Sequence, residues 1–175
     1  MDEETKNVYS LPLERKDIVL TLSNKRVHSG HLNNAIDFIV PKGTKIFAAR
    51  NGEVIAVKDN SKLGGLNKKY IGNKYLNYIS IQHNNGEISE YAHIKYHGSF
   101  VKKGQKVKKG QLIGLSGNTG YSSEPHLHFH VARLDDSSNG WKTLQIKFSA
   151  KVKIRRNYFN ILSGYLVSKI AKVTK

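Results

Sequence analysis

The stretch His126-Leu127-His128-Phe129-His130-Val131 alternates imidazole rings with apolar side chains. In an extended strand, alternate side chains share one face of the sheet, so the three histidines would occupy one face and the apolar residues the other. Neutral imidazole is the commonest metal ligand in proteins. The stretch therefore predicts a strand with a core face and a metal-binding face. A strand with a solvated polar face would show the same pattern.

A second strand candidate carries a single carboxylate. Ile36, Phe38 and Val40 would share one face of an extended segment, and Asp37 would project from the other. A carboxylate on so apolar a strand needs a cation, a metal ion or hydrogen-bond donors as a partner. An edge-strand aspartate that faces water is the alternative interpretation.

The composition limits the kinds of site that the chain can build. Its 175 residues fit one domain with a genuine core, and 38% hydrophobic residues indicate a folded protein. The chain has no cysteine. This excludes disulfides, thiolate zinc sites and cysteine nucleophiles, and leaves histidine and carboxylate as metal ligands.

The net charge is +16, and no acidic residue follows Ser137. Such a field attracts polyanions: nucleic acid, anionic lipid surfaces or the phosphate-bearing polymers of bacterial envelopes. No apolar run approaches the roughly 18 residues that cross a bilayer. The first residues, Met-Asp-Glu-Glu, are acidic and lack an apolar stretch, so the sequence predicts no secretory signal in this chain.

Short alternating segments predict an all-β protein, with strands at 8–13, 17–22, 36–40, 45–49, 52–58, 78–83, 88–94, 112–115, 126–131 and 143–148. Arg50-Asn51-Gly52 predicts a hairpin turn between two of them. Residues 59–75 look like a long surface loop, and such loops often bind ligands. Residues 101–111 contain a repeat, Val-Lys-Lys-Gly-Gln twice, predicted as short strands that end in glycine turns. A short amphipathic helix is expected at about 158–166.

Metal-assisted hydrolysis needs three protein ligands, an open coordination position and a group that handles protons. The residues available for these roles are Asp37, the histidines of the 126–130 stretch, and His28, His31, His83, His93 and His97. A site of two histidines and one aspartate, with further histidines beside it, could be built from this set.

Five motifs, in order over about residues 27–131, resemble the lysostaphin-type zinc metallopeptidases, the LytM-like peptidoglycan endopeptidases. They are Ala-Ile-Asp-Phe with Pro-x-Gly-Thr after it, Ala-Ala-Arg-x-Gly-x-Val, Glu-Tyr-x-His-Ile, Val-Lys-Lys-Gly-Gln-x-Ile-Gly-x-Ser-Gly-Asn-Thr-Gly, and Pro-His-Leu-His-Phe. The resemblance implies an antiparallel two-layer sheet domain. It divides the chain into N-terminal strands at 1–26 packing on the domain, a catalytic domain at 27–150 and a basic extension at 151–175.

The resemblance also implies roles for single residues. Asp37 and His128 would bind zinc, and His93 and His126 would be the catalytic histidines. The third ligand would be a histidine before Asp37. In the simplest family pattern it lies four positions earlier, where this chain has Asn33. A longer variant with His-x-Gly fits His28, with His31 as the alternative.

Other polar residues near these motifs receive more modest predictions. His130 stands where the family usually has glutamate, and we expect it beside the ligands or facing solvent. His83 and His97 are expected at the surface. Tyr91 should share a face with His93, where its hydroxyl could stabilise an oxyanion, but a core tyrosine would also fit.

The resemblance predicts a zinc endopeptidase, with one Zn²⁺ per chain, that cleaves stem peptides or cross-bridges of peptidoglycan in the cell envelope or outside the cell. The positive charge would favour anionic cell-wall polymers as further partners. A non-catalytic module that binds cell wall or activates another hydrolase is the alternative. Nucleic-acid binding is not expected, because no helix-turn-helix, zinc-finger or aromatic RNA-binding motif is visible.

Overall fold

Fifteen β-strands and four short 3₁₀ helices form the regular structure of the computed structural model, which describes residues 3–23, 28–136 and 140–154. The strands are β1 (Glu4–Tyr9), β2 (Leu20–Leu22), β3 (Ile36–Ile39), β4 (Lys45–Phe47), β5 (Gly52–Lys58), β6 (Gly64–Gly65), β7 (Tyr78–Gln82), β8 (Glu87–Ala92), β9 (Ile94–Ser99), β10 (Lys106–Val107), β11 (Leu112–Ser116), β12 (Gly120–Tyr121), β13 (His126–Leu134), β14 (Trp141–Thr143) and β15 (Gln145–Phe148). The 3₁₀ helices are Arg15–Asp17, Gly30–Leu32, Lys68–Tyr70 and Asn84–Gly86. The prediction of an all-β fold is confirmed.

The main sheet is antiparallel, in the order β10-β5-β7-β8-β13-β3-β2, with β14 also paired to β13. The nine-residue strand β13 lies between β3 and β8, so the histidine stretch occupies the middle of the sheet. Its apolar residues Leu127, Phe129 and Val131 are fully buried on one face. The histidines therefore project from the opposite face, as the alternation predicts.

A three-stranded sheet, β4-β11-β9, forms the second layer. Ile46, Ile94 and Ile113 from this layer join the same buried cluster as Phe129 and Ile79 of the main sheet. The layers approach closely at Gly114, where a Cβ atom would lie 3.2 Å from Ile79 Cδ1. The core thus lies between the two sheets.

The N-terminal strand β1 pairs in parallel with β15 and is also held by a buried carboxylate. Glu87 accepts hydrogen bonds from the backbone N–H of Lys6, from Asn7 Nδ2 at 2.6 Å and from the Tyr9 hydroxyl at 2.9 Å. Burial and the neighbouring Glu87 carboxylate raise the pKa of Tyr9 above its usual range. The phenol therefore stays protonated and donates to Glu87, which fastens β1 to β8.

The predicted hairpin around Asn51-Gly52 is wrong. Strand β4 pairs with β11, whereas β5 pairs with β7 and β10 in the other sheet. Ala48 and Ala49 are fully buried and lead the chain from one layer to the other. Glycine is needed at position 52 because a Cβ atom there would lie 2.4 Å from the Gln82 carbonyl oxygen.

Several predicted boundaries also shift. The expected strand at 143–148 is divided into β14 and β15 at Leu144, whose N–H donates to the Val131 carbonyl. In the 101–111 repeat, Lys106–Val107 alone forms a strand. The expected helix at 158–166 lies outside the described residues. Within the described ranges, no helical segment has the length and hydropathy of a membrane-spanning helix.

Candidate metal centre

Strand register brings Asp37 and His128 together. The two residues are direct partners across β3 and β13, and the Asp37 Oδ1 to His128 Nδ1 distance is 2.9 Å. Both side chains project from the sheet face opposite the core. Two residues separated by 91 positions in the chain therefore become neighbours through one strand pair.

His28 completes a group of three possible metal ligands. It precedes the 3₁₀ helix Gly30–Leu32, and its Nε2 lies 3.2 Å from Asp37 Oδ2. The His28 ring also packs edge-to-face against the His128 ring, with centroids 4.9 Å apart. One ligand atom from each of His28, Asp37 and His128 lies within 4.8 Å of the others.

The environment of Asp37 keeps its carboxylate ionised. Burial alone would raise the pKa of Asp37, but the hydrogen bonds to His128 and His28 and the charge of His126 outweigh that effect. The pKa of Asp37 therefore lies well below its usual range. The sequence predicted that this carboxylate needs a partner, and in the structure its partners are imidazole rings.

These donors suit zinc. Two imidazoles and one carboxylate are a typical ligand set for catalytic Zn²⁺, which keeps one position for water. His28 is 4% exposed, and its Nδ1 is buried with no hydrogen-bond partner among the described residues. A buried ring nitrogen without a partner costs free energy. The cost at His28 is consistent with a ring that is held in place for metal binding and not for its own hydrogen bonds.

His93 approaches the centre from the end of β8. It lies between β8 and β9 with φ of +62°, a left-handed conformation that is uncommon outside glycine. Its Nδ1 donates to the Thr119 carbonyl at 2.6 Å, which leaves Nε2 as the acceptor of a neutral ring. Burial, followed by the charges of His126 and His128, lowers the pKa of His93 to about 3.

His126 lies beside His93, with ring centroids 4.4 Å apart. Its Nδ1 donates to the Glu124 carbonyl at 2.8 Å and is also 3.2 Å from Ser122 Oγ. Its Nε2 lies 3.6 Å from Asp37 Oδ1. In the neutral ring this nitrogen is an acceptor, so two imidazoles with free lone pairs adjoin the possible ligands.

A buried asparagine connects His93 to the loop at 59–75. Asn77 is fully buried; its Oδ1 accepts from Ser61 N–H at 2.9 Å and its Nδ2 donates to the Ser61 carbonyl at 2.9 Å. Its backbone N–H donates to Thr119 Oγ1 at 3.1 Å. The carbonyl of Thr119 in turn holds His93. Sequence reasoning missed Asn77 and Thr119, because nothing in a lone Asn or in Gly-Asn-Thr-Gly indicates which histidine they reach.

His130 contacts His128 instead of solvent. His130 Nδ1 lies 3.3 Å from His128 Nε2, and the ring stacks on Trp141 with centroids 5.4 Å apart and planes at 11°. Burial and the charges of His128, His28 and His31 lower the pKa of His130 well below its usual range. Of the two predictions for His130, the position beside the ligands fits and the solvent-facing position is wrong. His31 packs against Trp141 at 4.5 Å, away from the ligand group.

The prediction for Tyr91 needs correction. The left-handed turn at His93 breaks the alternation, so Tyr91 does not share its face. Tyr91 opposes Phe129 across β8 and β13 and is fully buried in the core, where its hydroxyl accepts from Ala49 N–H at 2.8 Å. Burial raises the pKa of Tyr91 to about 12. Its hydroxyl therefore cannot reach an oxyanion in this centre.

The two remaining histidines differ from each other. His97 is exposed, as predicted. His83 was expected at the surface but is 5% exposed, with Nδ1 donating to the Asn51 carbonyl at 2.8 Å and Nε2 2.8 Å from Ser89 Oγ. It is buried because β1 covers it: the Tyr9 ring packs edge-to-face on His83.

The sequence profile described as Peptidase family M23 matches residues 31–140, well over half of the chain. The chain belongs to peptidase family M23. Of the two histidines predicted as possible first ligands, His28 lies three positions before the matched region and His31 is its first residue.

Similar proteins support the M23 assignment. An uncharacterized metalloprotease of Buchnera aphidicola is 37% identical over 133 residues, which are 74% of this chain and 31% of that protein. The peptidoglycan DD-endopeptidase ShyA of Vibrio cholerae is 40% identical over 99 residues, 57% of this chain and 20% of that protein. The chain thus spans only a fifth to a third of these relatives.

A solved structure, a zinc-containing peptidase from Vibrio cholerae, matches the fold with a TM-score of 0.55 and 28% sequence identity. The match covers 85% of this chain and 41% of that one. The fold comparison thus agrees with the assignment of the chain to peptidase family M23.

Proposed function

We propose that this M23 protein is a zinc-dependent endopeptidase that hydrolyses a peptide bond in the stem peptides or cross-bridges of peptidoglycan. The observation that carries the proposal is the convergence of His28, Asp37 and His128, with ligand atoms within 4.8 Å, beside two further histidines. His28 Nε2, an Asp37 carboxylate oxygen and His128 Nδ1 are the atoms that would hold one Zn²⁺ per chain.

When bound, zinc would supply a Lewis acid and lower the pKa of its water toward about 7. The chain's own groups would manage the protons. His93 and His126 each donate Nδ1–H to a backbone carbonyl, so each presents Nε2 as an acceptor. Such a nitrogen can take a proton from the attacking water and later return it to the leaving amine.

The low pKa of His93 determines the protonation state of its ring at neutral pH. At neutral pH the His93 ring is neutral, because burial disfavours its charged form. A neutral ring can accept a hydrogen bond and orient water. His126 differs in its surroundings, because its Nε2 lies 3.6 Å from Asp37 Oδ1.

The substrate is proposed from the relatives, since ShyA and two further Vibrio cholerae proteins that match this chain are named peptidoglycan DD-endopeptidases. A cell-envelope or extracellular location follows from such a substrate. The high positive charge would favour contact with an anionic wall.

The test compares zinc content and hydrolysis in matched variants. We expect His128→Ala, Asp37→Ala and His28→Ala to lose bound zinc, measured by elemental mass spectrometry, and to release no fragments from purified peptidoglycan. His126→Ala should keep zinc and lose activity at least about a hundredfold. His31→Ala should keep both, because His31 packs on Trp141. Hydrolysis by zinc-free His128→Ala protein would refute the proposal, and a zinc-loaded parent without hydrolysis would favour the non-catalytic module.

A further inference from the structure

The lysine repeat folds into two equivalent turns, which we call the twin lysine turns (101–105 and 107–111). In each turn the first lysine N–H donates to the glutamine side chain, from Lys102 to Gln105 at 3.2 Å and from Lys108 to Gln111 at 3.1 Å. The fourth residue of each turn is a glycine with φ near +80°. Glycine is required there because other residues rarely adopt this conformation.

Both turns are anchored through their backbones. Gly104 N–H donates to the Val54 carbonyl at 2.7 Å, and Gly110 N–H donates to the Ala48 carbonyl at 2.8 Å. The valine that begins each turn is buried. The lysine side chains take no part in these contacts and are exposed. The turns therefore fix the backbone positions of two lysine pairs at the surface.

A cavity of about 440 Å³ lies beside the second turn. Three cations and one carboxylate line it, together with Asn51, Gly52, Asn84 and Val107; the charged residues are Arg50, Lys106, Lys108 and Glu53. Asn51 fixes its wall, since Oδ1 accepts from Lys109 N–H at 2.7 Å and its carbonyl accepts from His83. The cavity is thus preformed, which reduces the entropy cost of binding.

Arg50 is oriented within this cavity. One terminal nitrogen donates to the Val8 carbonyl at 3.1 Å, and the other lies 3.5 Å from Asn84 Oδ1. These contacts involve two of the five N–H donors of a guanidinium. Guanidinium groups pair with phosphate through several N–H donors, whereas lysine contributes a point charge.

The cavity is distant from the metal centre. Strand β8 runs from Glu87, next to the Asn84–Gly86 turn at the cavity, to Ala92, next to His93. Five residue steps of an extended strand span about 17 Å. Moreover, the segment 91–123 contains six lysines and no acidic residue. Five of these lysines lie at positions 102–109, within or between the twin lysine turns.

We propose that the cavity and the twin lysine turns bind a linear polymer that carries phosphate groups. A phosphate that projects from such a polymer can enter the cavity beside Arg50, and its neighbours can meet the lysine pairs. Single-stranded nucleic acid binds through aromatic stacking platforms, and the cavity lining includes no aromatic residue.

The test uses long-chain inorganic polyphosphate and two variants of equal charge. One variant replaces Lys106, Lys108 and Lys109 with Gln; the control replaces three other exposed lysines, Lys6, Lys16 and Lys45, with Gln. We expect the first variant to bind polyphosphate about tenfold or more weakly, and the slope of log affinity against log salt to fall by about two to three. The control should lose less than about threefold.

Both variants should keep the parent's melting temperature and zinc content, because all six lysine side chains are exposed and the lysine side chains of the turns make none of the turn contacts. Equal loss of affinity in the two variants would overturn the proposal, since it would show that net charge alone binds. Tighter binding to vesicles with anionic phospholipid, or to single-stranded DNA of equal charge, would also overturn it. His128→Ala should bind polyphosphate with the parent's affinity. The polyphosphate test is therefore independent of whether the proposed peptidase activity is found.

Discussion

His128 is oriented by partners on both ring nitrogens. Nδ1 lies 2.9 Å from the Asp37 carboxylate and Nε2 lies 3.3 Å from His130 Nδ1. With Nδ1 as a metal ligand, Nε2 would carry the ring proton and donate a hydrogen bond to His130 Nδ1. The partner on the far side of a ligand histidine fixes its ring orientation and contributes to metal affinity. At His130 an imidazole occupies the position where the family usually has glutamate.

His130→Ala should weaken zinc binding by about tenfold to a hundredfold, because it removes the acceptor for His128 Nε2–H. His130→Glu should restore affinity to within a few-fold of the parent, since a carboxylate accepts the same bond. Competition with a chromophoric chelator measures both. His97→Ala, at an exposed histidine, is the control. Unchanged zinc affinity in His130→Ala would show that the contact with His128 does not matter.

At the scale of elements, the base of the 59–75 loop and the turn from β8 to β9, where His93 lies, share one hydrogen-bond network. Asn77 links Ser61 at the start of the loop to the Ile94 carbonyl at the start of β9, at 3.2 Å. Thr119 Oγ1 donates to the same carbonyl at 3.0 Å. Because the Thr119 carbonyl also holds His93, disturbance of the loop base would reach this histidine.

We expect Asn77→Ala to lower the free energy of unfolding by about 2–4 kcal/mol, because it leaves the backbone N–H and carbonyl of buried Ser61 without the partners that the amide supplies. We also expect kcat for peptidoglycan hydrolysis to fall at least about tenfold at unchanged zinc content, because His93 loses its fixed orientation. Urea unfolding, and kinetics well below the melting temperature, measure these effects.

Asn67→Ala is the matched control in the same loop. The Asn67 side chain is exposed and accepts one bond, from Lys69 N–H at 3.0 Å, as the cap of a 3₁₀ helix. Its loss should cost about 1 kcal/mol or less and leave kcat intact. A zinc-loaded Asn77→Ala protein with the parent's kcat would contradict the prediction that the loop base orients His93.

At the scale of the whole molecule, stability should depend on pH through a buried histidine far from the metal centre. Burial, partly offset by the hydrogen bond to the Asn51 carbonyl, lowers the pKa of His83. In the unfolded chain this pKa is about 6.5. Below about pH 6.5 the unfolded state therefore binds more protons than the folded state, so the free energy of unfolding falls as the pH falls.

His83→Gln should flatten this dependence between pH 6.5 and 5 by up to about 1.4 kcal/mol per pH unit, because glutamine keeps a donor and an acceptor without titrating. Urea unfolding at a series of pH values, with chelator present, gives the slope. His97→Gln, at an exposed position, should leave it unchanged. An identical slope in His83→Gln and the parent would exclude His83 as its source.

The pattern of the sequence determined the all-β class and the two faces of β13. Period-2 alternation is a local property, so it assigns Leu127 and Phe129 to the core and His128 to the other face without any knowledge of the neighbouring strands. The same logic isolated Asp37 on an apolar strand. Only the register of β3 against β13 placed the two side chains 2.9 Å apart.

Tertiary structure decided the rest, because it depends on contacts between residues far apart in the chain and on single backbone angles. Because His93 has a left-handed conformation, its side chain lies at the candidate metal centre, whereas Tyr91, two residues earlier, packs in the core. The path between sheet layers separates β4 from β5 despite an Asn-Gly signal, and the covering strand β1 buries His83. Whether His28 or His31 approaches Asp37 is likewise a matter of packing: Trp141, 110 residues after His31, holds that ring away, and His28 takes the place beside the carboxylate.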